Sequence, residues 1–86
     1  MTDDEIKQAT LDVLSKVAPE VNVDAISPDI NFRDQFDFDS MDFLNFAIGL
    51  GKHLDFEIPE VDYPKLSNLN GCVVYLAAML RTNEHL

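Results

Sequence analysis

Ser40 is an aliphatic hydroxyl set among three carboxylates, in the run Asp37-Phe38-Asp39-Ser40-Met41-Asp42, immediately before a stretch of helical periodicity. Asp39 or Ser40 can cap a helix that begins here by accepting hydrogen bonds from its free N–H groups. A phosphate esterified to Ser40 would lie at the positive end of the helix dipole. Hydrolytic chemistry at Ser40 fits poorly. His53 lies 13 residues further along the same helix, about 20 Å away at roughly 1.5 Å per residue, and no G-x-S-x-G elbow is present. Asp37-x-Asp39 begins like a calcium loop, but Met41 stands where the next ligand belongs and the required glycine is missing. No catalytic residue and no metal site is expected.

The helix that would present Ser40 is read over about 40–54. At the helical period, Phe43, Phe46, Ala47, Leu50 and Leu54 share one broad face, the expected core stripe. Met41, Leu44 and Ile48 form a second, narrower stripe roughly 140° away. A helix that only covers a core does not need this second stripe. Two readings stand: a docking surface for partners, or a surface hidden by a folded-over loop. Gly49 and Gly51 each cost about 1 kcal/mol relative to Ala in a helix interior, through looseness or to admit a close neighbour.

Thr2-Asp3-Asp4-Glu5 has the spacing of a capping box. Ile6, Val13, Leu14 and Val17, with Ala9 and Thr10 between them, predict a first helix over about 3–17, which Pro19 ends. From Glu20 to Phe38 no long period appears; Ser27-Pro28-Asp29 signals a turn, and Val21, Val23, Ile26, Ile30, Phe32 and Phe36 are scattered apolar anchors. A connection this long must pack down or serve function. Pro59 suits the first position of a short helix of one or two turns, interrupted by Pro64. Ser67 or Asn68 then caps a last helix reaching about Arg81, with Leu69, Cys72, Val73, Leu76, Ala77 and Leu80 as its buried stripe. Cys72 on that stripe reads as a small core residue.

The composition narrows the classes further. Eighty-six residues suffice for one small domain, and 47% hydrophobic content supports a helical core but not a roomy cleft with a catalytic shell. A formal net charge of -10 argues against nucleic acid and anionic membranes and favours partners with basic patches. The single cysteine excludes an internal disulfide and points to a reducing compartment. The acidic start Met1-Thr2-Asp3-Asp4-Glu5 has no apolar h-region, and no run approaches a membrane span.

Asp39-Ser40-Met41 resembles the D-S-L motif that opens the second helix of acyl carrier proteins. The resemblance covers nearly the whole chain, from first helix and long loop to a second helix ending in Leu54-Asp55-Phe56-Glu57-Ile58-Pro59, a short third helix and a final one. It implies an all-α four-helix bundle of acyl-carrier type, with three main helices, a short third helix and a long loop between helices 1 and 2. The chain 1–86 would be a single domain with flexible ends at about 1–2 and 82–86. Ser40 would carry 4′-phosphopantetheine, with Asp39 as its acidic neighbour. A separate phosphopantetheinyl transferase would attach the arm from coenzyme A with magnesium. The arm's thiol would hold acyl groups as thioesters and present them to enzymes of fatty-acid, polyketide or related lipid and secondary-metabolite synthesis.

By the same resemblance, Asp37, Met41, Asp42, Leu44 and Ile48 would face partners, namely acyl-loading, condensing and tailoring enzymes with basic docking patches. Phe43, Phe46, Leu50, Leu54, Ile58, Tyr63, Leu66, Val73 and Leu76 would line an acyl pocket. A cytoplasmic monomer, bound to neither nucleic acid nor membrane, is expected. The sequence departs from the family pattern at Asp37, where a glycine is usual, at Asn45 and Gly51-Lys52, where acidic residues are frequent, and at the bulkier Phe43 and Phe46. These departures set a specialised carrier of a secondary or modified-lipid pathway beside the general fatty-acid carrier. Two alternatives stay open: an aminoacyl or peptidyl carrier, and a non-carrying acidic adaptor in which Ser40 only caps a helix.

Overall fold

The first helix, α1 (Asp3–Val17), starts where the capping box puts it. Thr2 Oγ1 accepts from the Glu5 N–H at 3.2 Å and Glu5 Oε1 accepts from the Thr2 N–H at 2.8 Å, satisfying two otherwise unpaired donors. The computed structural model describes the backbone of residues 1–84 and the side chains of 1–81. Ile6, Ala9, Leu11, Val13 and Leu14 bury one face of α1, and the buried Thr10 hydroxyl donates to the Ile6 carbonyl at 2.8 Å. The helix closes at Ala18, ahead of Pro19.

The connection from Pro19 to Asp39 is more structured than its lack of period suggests. It contains a 3₁₀ turn at Val23–Ala25 and a single helical turn, α2 (Phe32–Gln35). Elements this short present no repeating face; tertiary contacts hold them instead. Phe32 is fully buried, Phe38 nearly so, and Phe36 packs against the same cluster. Ile30, by contrast, is 46% exposed and anchors little. The Gln35 side-chain amide closes the segment on itself, accepting from the Ser27 N–H at 2.8 Å and donating to the carbonyls of Ser27 and Ile30. Backbone bonds from Phe32 N–H to the Ser67 carbonyl and from Asn70 N–H to the Pro28 carbonyl fasten it to the far end of the chain. The side chains of Asn70 and Asp29 also pair there.

The next helix, α3 (Ser40–Leu54), has the expected bounds. Phe46, Ala47 and Leu50 are buried, whereas Phe43 and Leu54 are half-buried at the edges of the stripe. Both glycines permit close packing. A Cβ at Gly49 would lie 2.9 Å from Val13 Cγ1 of α1, and one at Gly51 would lie 2.7 Å from the Phe56 carbonyl oxygen. That second approach belongs to the helix end, where Asp55 turns left-handed (φ 59°) and the N–H groups of Asp55 and Phe56 both donate to the Gly51 carbonyl.

A 3₁₀ segment, Glu60–Leu66, forms the short third helix and tolerates Pro64. Pro59 precedes it with extended ψ of 138°, so it occupies the cap position and not the first helical one. Asn68 is the residue that caps α4 (Leu69–Glu84), its Oδ1 accepting from the Gly71 N–H at 2.7 Å. This helix passes the Arg81 boundary read from sequence, since neither proline nor glycine follows to stop it. Leu69, Cys72 and Leu76 are buried as expected. Tyr75 joins them although the stripe omitted it, because its hydroxyl reaches Asp62 Oδ2 at 2.7 Å. Helices α1, α3 and α4 thus enclose a core of apolar side chains, with α1 packed against the other two.

Two measurements test this packing. Gly51→Ala should destabilise the protein by about 1–3 kcal/mol in urea unfolding despite alanine's helix propensity, because backbone stands where the methyl would go. The second concerns pH. Burial, followed by the hydrogen bond to Asp62, raises the Tyr75 phenol from 10.0 to about 12. Burial also raises the Cys72 thiol from 9.0 to about 12. A raised folded-state value contributes stability fully present below the unfolded value and lost as pH rises through the folded one. Stability should therefore fall between about pH 9 and 12, and Tyr75→Phe should remove the Tyr75 share while leaving that of Cys72, whose shift is the larger. The Tyr75 hydroxyl also holds the Asp62 carboxyl below its ordinary 3.8. That contribution is present above 3.8 and disappears as pH falls through the lowered value, so Tyr75→Phe should flatten the acid limb as well.

Candidate functional site

At the mouth of α3, capping falls to Asp39. Its Oδ1 accepts from the Asp42 N–H at 2.8 Å, and Asp42 Oδ2 accepts in return from the Asp39 N–H at 3.3 Å. This is a capping box built from two aspartates, and it also places negative charge at the positive end of the helix. Ser40, one residue further on, is exposed, and its hydroxyl makes no hydrogen bond among the described residues. Of the two capping candidates, the structure selects the carboxylate and leaves the hydroxyl unused.

The second stripe of α3 faces outward. Met41 is 63% exposed, Leu44 40% and Ile48 43%, so the long connection does not cover them. Asp37 and Asp39 stand exposed beside them, and Asp42 is half-buried. Val61, on the 3₁₀ segment, is 82% exposed, an apolar surface residue that no periodicity marked.

Two open clefts lie on the side of α3 that meets the 3₁₀ segment. One, of about 380 Å³, has Ser40 in its wall together with Phe43, Tyr63 and Pro64, and is bounded by Asn31, Phe32, Arg33 and Ser67. The other, of about 410 Å³, lies along the second half of α3 and is bordered by Ile48, Gly51, Phe56, Ile58 and Tyr63, among others. Phe43, Ile58 and Tyr63 therefore border open space. Phe46, Leu50, Leu66 and Leu76 are fully buried in the core, and Leu54 and Val73 are half-buried against it; none of these six borders either cleft. Arg33 and Asn31 escaped the sequence reading because they lie in a segment without a period, and Ser67 figures there only as a candidate helix cap.

Other reactive groups stand apart. His53 is exposed near the far end of α3. Cys72 is buried, its thiol donating to the Leu66 carbonyl at 3.4 Å and pushed up to about 12 by burial, which suits packing and not nucleophilic work. Among the described residues no group of three or more His, Cys, Asp or Glu side chains could hold a metal ion.

Residues 6–76 match the family model of the phosphopantetheine attachment site. An acyl carrier protein of Lactobacillus johnsonii is 33% identical over 76 residues, which span 88% of this chain and 94% of the relative. One from Chlorobium phaeobacteroides is 32% identical over 77 residues, or 88% of this chain and 96% of the relative.

The division of roles at the helix mouth is open to measurement. Asp39→Ala should cost about 1 kcal/mol in chemical unfolding through loss of the cap. Ser40→Ala should change stability by no more than about 0.5 kcal/mol, as for a surface site without partners. A cost at Ser40 equal to that at Asp39 would contradict the assignment.

Proposed function

The chain belongs to the acyl carrier protein family, and on that premise we propose that Ser40 is the residue that carries its arm. Proteins of this family are carriers and not enzymes, and their cofactor is covalently attached 4′-phosphopantetheine. The observation that supports Ser40 is the exposed, unbonded hydroxyl on the first residue of α3, freed because Asp39 does the capping. The site suits the group. A phosphodiester on Ser40 meets the positive end of a 15-residue helix, and the hydroxyl opens on a cleft with room beside it. When bound, the arm supplies a thiol on which acyl groups ride as thioesters.

The chain's own residues then do three things. Asp39 and Asp42 hold the helix mouth in one conformation. Met41, Leu44 and Ile48 offer partners a modest apolar contact, and Asp37 and Asp42 steer partners with basic patches towards it. These partners are a phosphopantetheinyl transferase and the acyl-loading, condensing and tailoring enzymes of fatty-acid, polyketide or related lipid synthesis. Ile58 and Tyr63 provide shallow shelter for cargo at the cleft along the second half of α3, Phe43 borders the cleft beside Ser40, and Phe46, Leu50, Leu54, Leu66, Val73 and Leu76 form or back the filled interior. A filled interior favours short or polar cargo over a long alkyl chain, and hence a specialised carrier. Asp37 does not disturb the approach to Ser40: among the described non-glycine residues only Asp55 has positive φ. The protein acts as a cytoplasmic monomer, and no described helix is long and apolar enough to cross a membrane.

Intact mass after incubation with coenzyme A, magnesium and a broad-specificity phosphopantetheinyl transferase tests the assignment. The expected result is a gain of one phosphopantetheine on the wild type and none on Ser40→Ala. No gain with several active transferases would leave the acidic adaptor as the better reading. Loading by an aminoacyl-adenylating enzyme in preference to an acyl-transferring one would place the chain with the aminoacyl carriers.

A further inference from the structure

The cleft beside Ser40 has a composition that a plain surface groove does not need. Beside Ser40 it is lined by the apolar residues Phe32, Phe43, Tyr63 and Pro64 and by the polar Asn31, Ser67 and Arg33. The chain holds 16 carboxylate side chains and only 6 Lys and Arg. Arg33 nonetheless makes no ion pair among the described residues.

Arg33 is also carried on a fixed piece of backbone. The side chain before it, Phe32, is fully buried, and Phe32 N–H donates to the Ser67 carbonyl at 2.9 Å. Two residues after it, the Gln35 amide makes three hydrogen bonds to Ser27 and Ile30. An exposed cation on a pinned turn, without a carboxylate partner in an acidic protein, is preorganised for an anion from elsewhere.

We propose that this cleft is a resting cradle for the near half of the arm, with Arg33 holding its phosphodiester. The inference rests on the reading that Ser40 bears the arm. The chemistry matches in order. The phosphodiester leaves Ser40 within reach of a wall that contains the one cation of the cleft. The geminal dimethyl group that follows it is apolar and suits the faces of Phe43 and Tyr63. The hydroxyl and amides beyond find donors and acceptors in Asn31 and Ser67. A volume of about 380 Å³ takes a segment of the arm, so the thiol end stays outside and available.

The test uses the arm-bearing protein, prepared with coenzyme A labelled with carbon-13 in the pantoyl methyls and compared by NMR with its Arg33→Ala and Arg33→Lys variants. Expected are cross-relaxation from the geminal methyls to the rings of Phe43 and Tyr63, and methyl shifts displaced upfield from those of free coenzyme A. Arg33→Ala should lose most of that displacement and Arg33→Lys should keep part of it. Arg33 is exposed, so both variants should retain the fold, which their amide spectra check. Methyl shifts equal to those of free coenzyme A in the loaded wild type would overturn the cradle. So would displacements unchanged by Arg33→Ala, which would make the arginine a solvated surface charge. Failure of the wild type to gain the arm's mass would instead remove the premise that Ser40 is modified.

Discussion

The edge-to-face contact of Phe32 with Phe46, ring centroids 5.4 Å apart, is the constraint on which the rest of this small protein depends. It joins a residue of the long connection to the centre of α3, both fully buried. Phe38 stands 5.9 Å from the first ring and 6.0 Å from the second, both edge to face, and Phe36 and Phe43 pack at the periphery, tilted against Phe32 and Phe46. Such pairs contribute about 0.5–1.5 kcal/mol each beyond area burial, a substantial gain for a chain near the lower limit for a single core. Without this cluster the connection would have no reason to lie where it does. Neither the approach through Asp37 to Ser40 nor the placement of Arg33 would then be defined.

Filling the centre with rings has a consequence for the surface. Phe46, Leu50 and Leu66 are packed solid at the centre, and the open volume beside Ser40 lies at the surface, where α3 meets the 3₁₀ segment and the connection. An arm or cargo resting in these clefts would lie outside the core and would not require the helices to separate. Gly49 and Gly51 fit the same picture, because both let neighbours come close instead of loosening the helix.

The sequence carried the long elements well. The capping box and proline stop of α1, the cap candidates of α3 and 3.6-residue periodicity mark both helices to within a residue, and the stripe of Met41, Leu44 and Ile48 was legible from the same period, though not its exposure. What it could not carry was anything shorter than a helical repeat or set by distant partners. The single turn α2 exists because Phe32 is buried and Gln35 bonds to Ser27 and Ile30, which are tertiary facts. Tyr75 is buried because Asp62, on another element, accepts its hydroxyl. The choice between Asp39 and Ser40 as cap was likewise undecidable from residue type, since both side chains can accept from the same N–H groups. Family resemblance pointed to Ser40 without explaining how its hydroxyl is kept free.

That explanation also settles an electrostatic difficulty. A phosphodiester on Ser40 would add negative charge beside Asp39 and Asp42, in a protein whose net charge is already -10. The two carboxylates are engaged with backbone N–H groups, so part of their charge is already directed at donors of the helix mouth. Arg33, on a fixed turn, borders the same cleft as Ser40. Repulsion is thereby offset locally while the wider acidic field persists. The separation is useful, because the local terms decide whether the arm can be held at all, whereas the wider field acts over about a Debye length and speeds encounter with basic partners. Exposed charge pairs are individually weak, so a basic partner drawn in by that field would also be released readily.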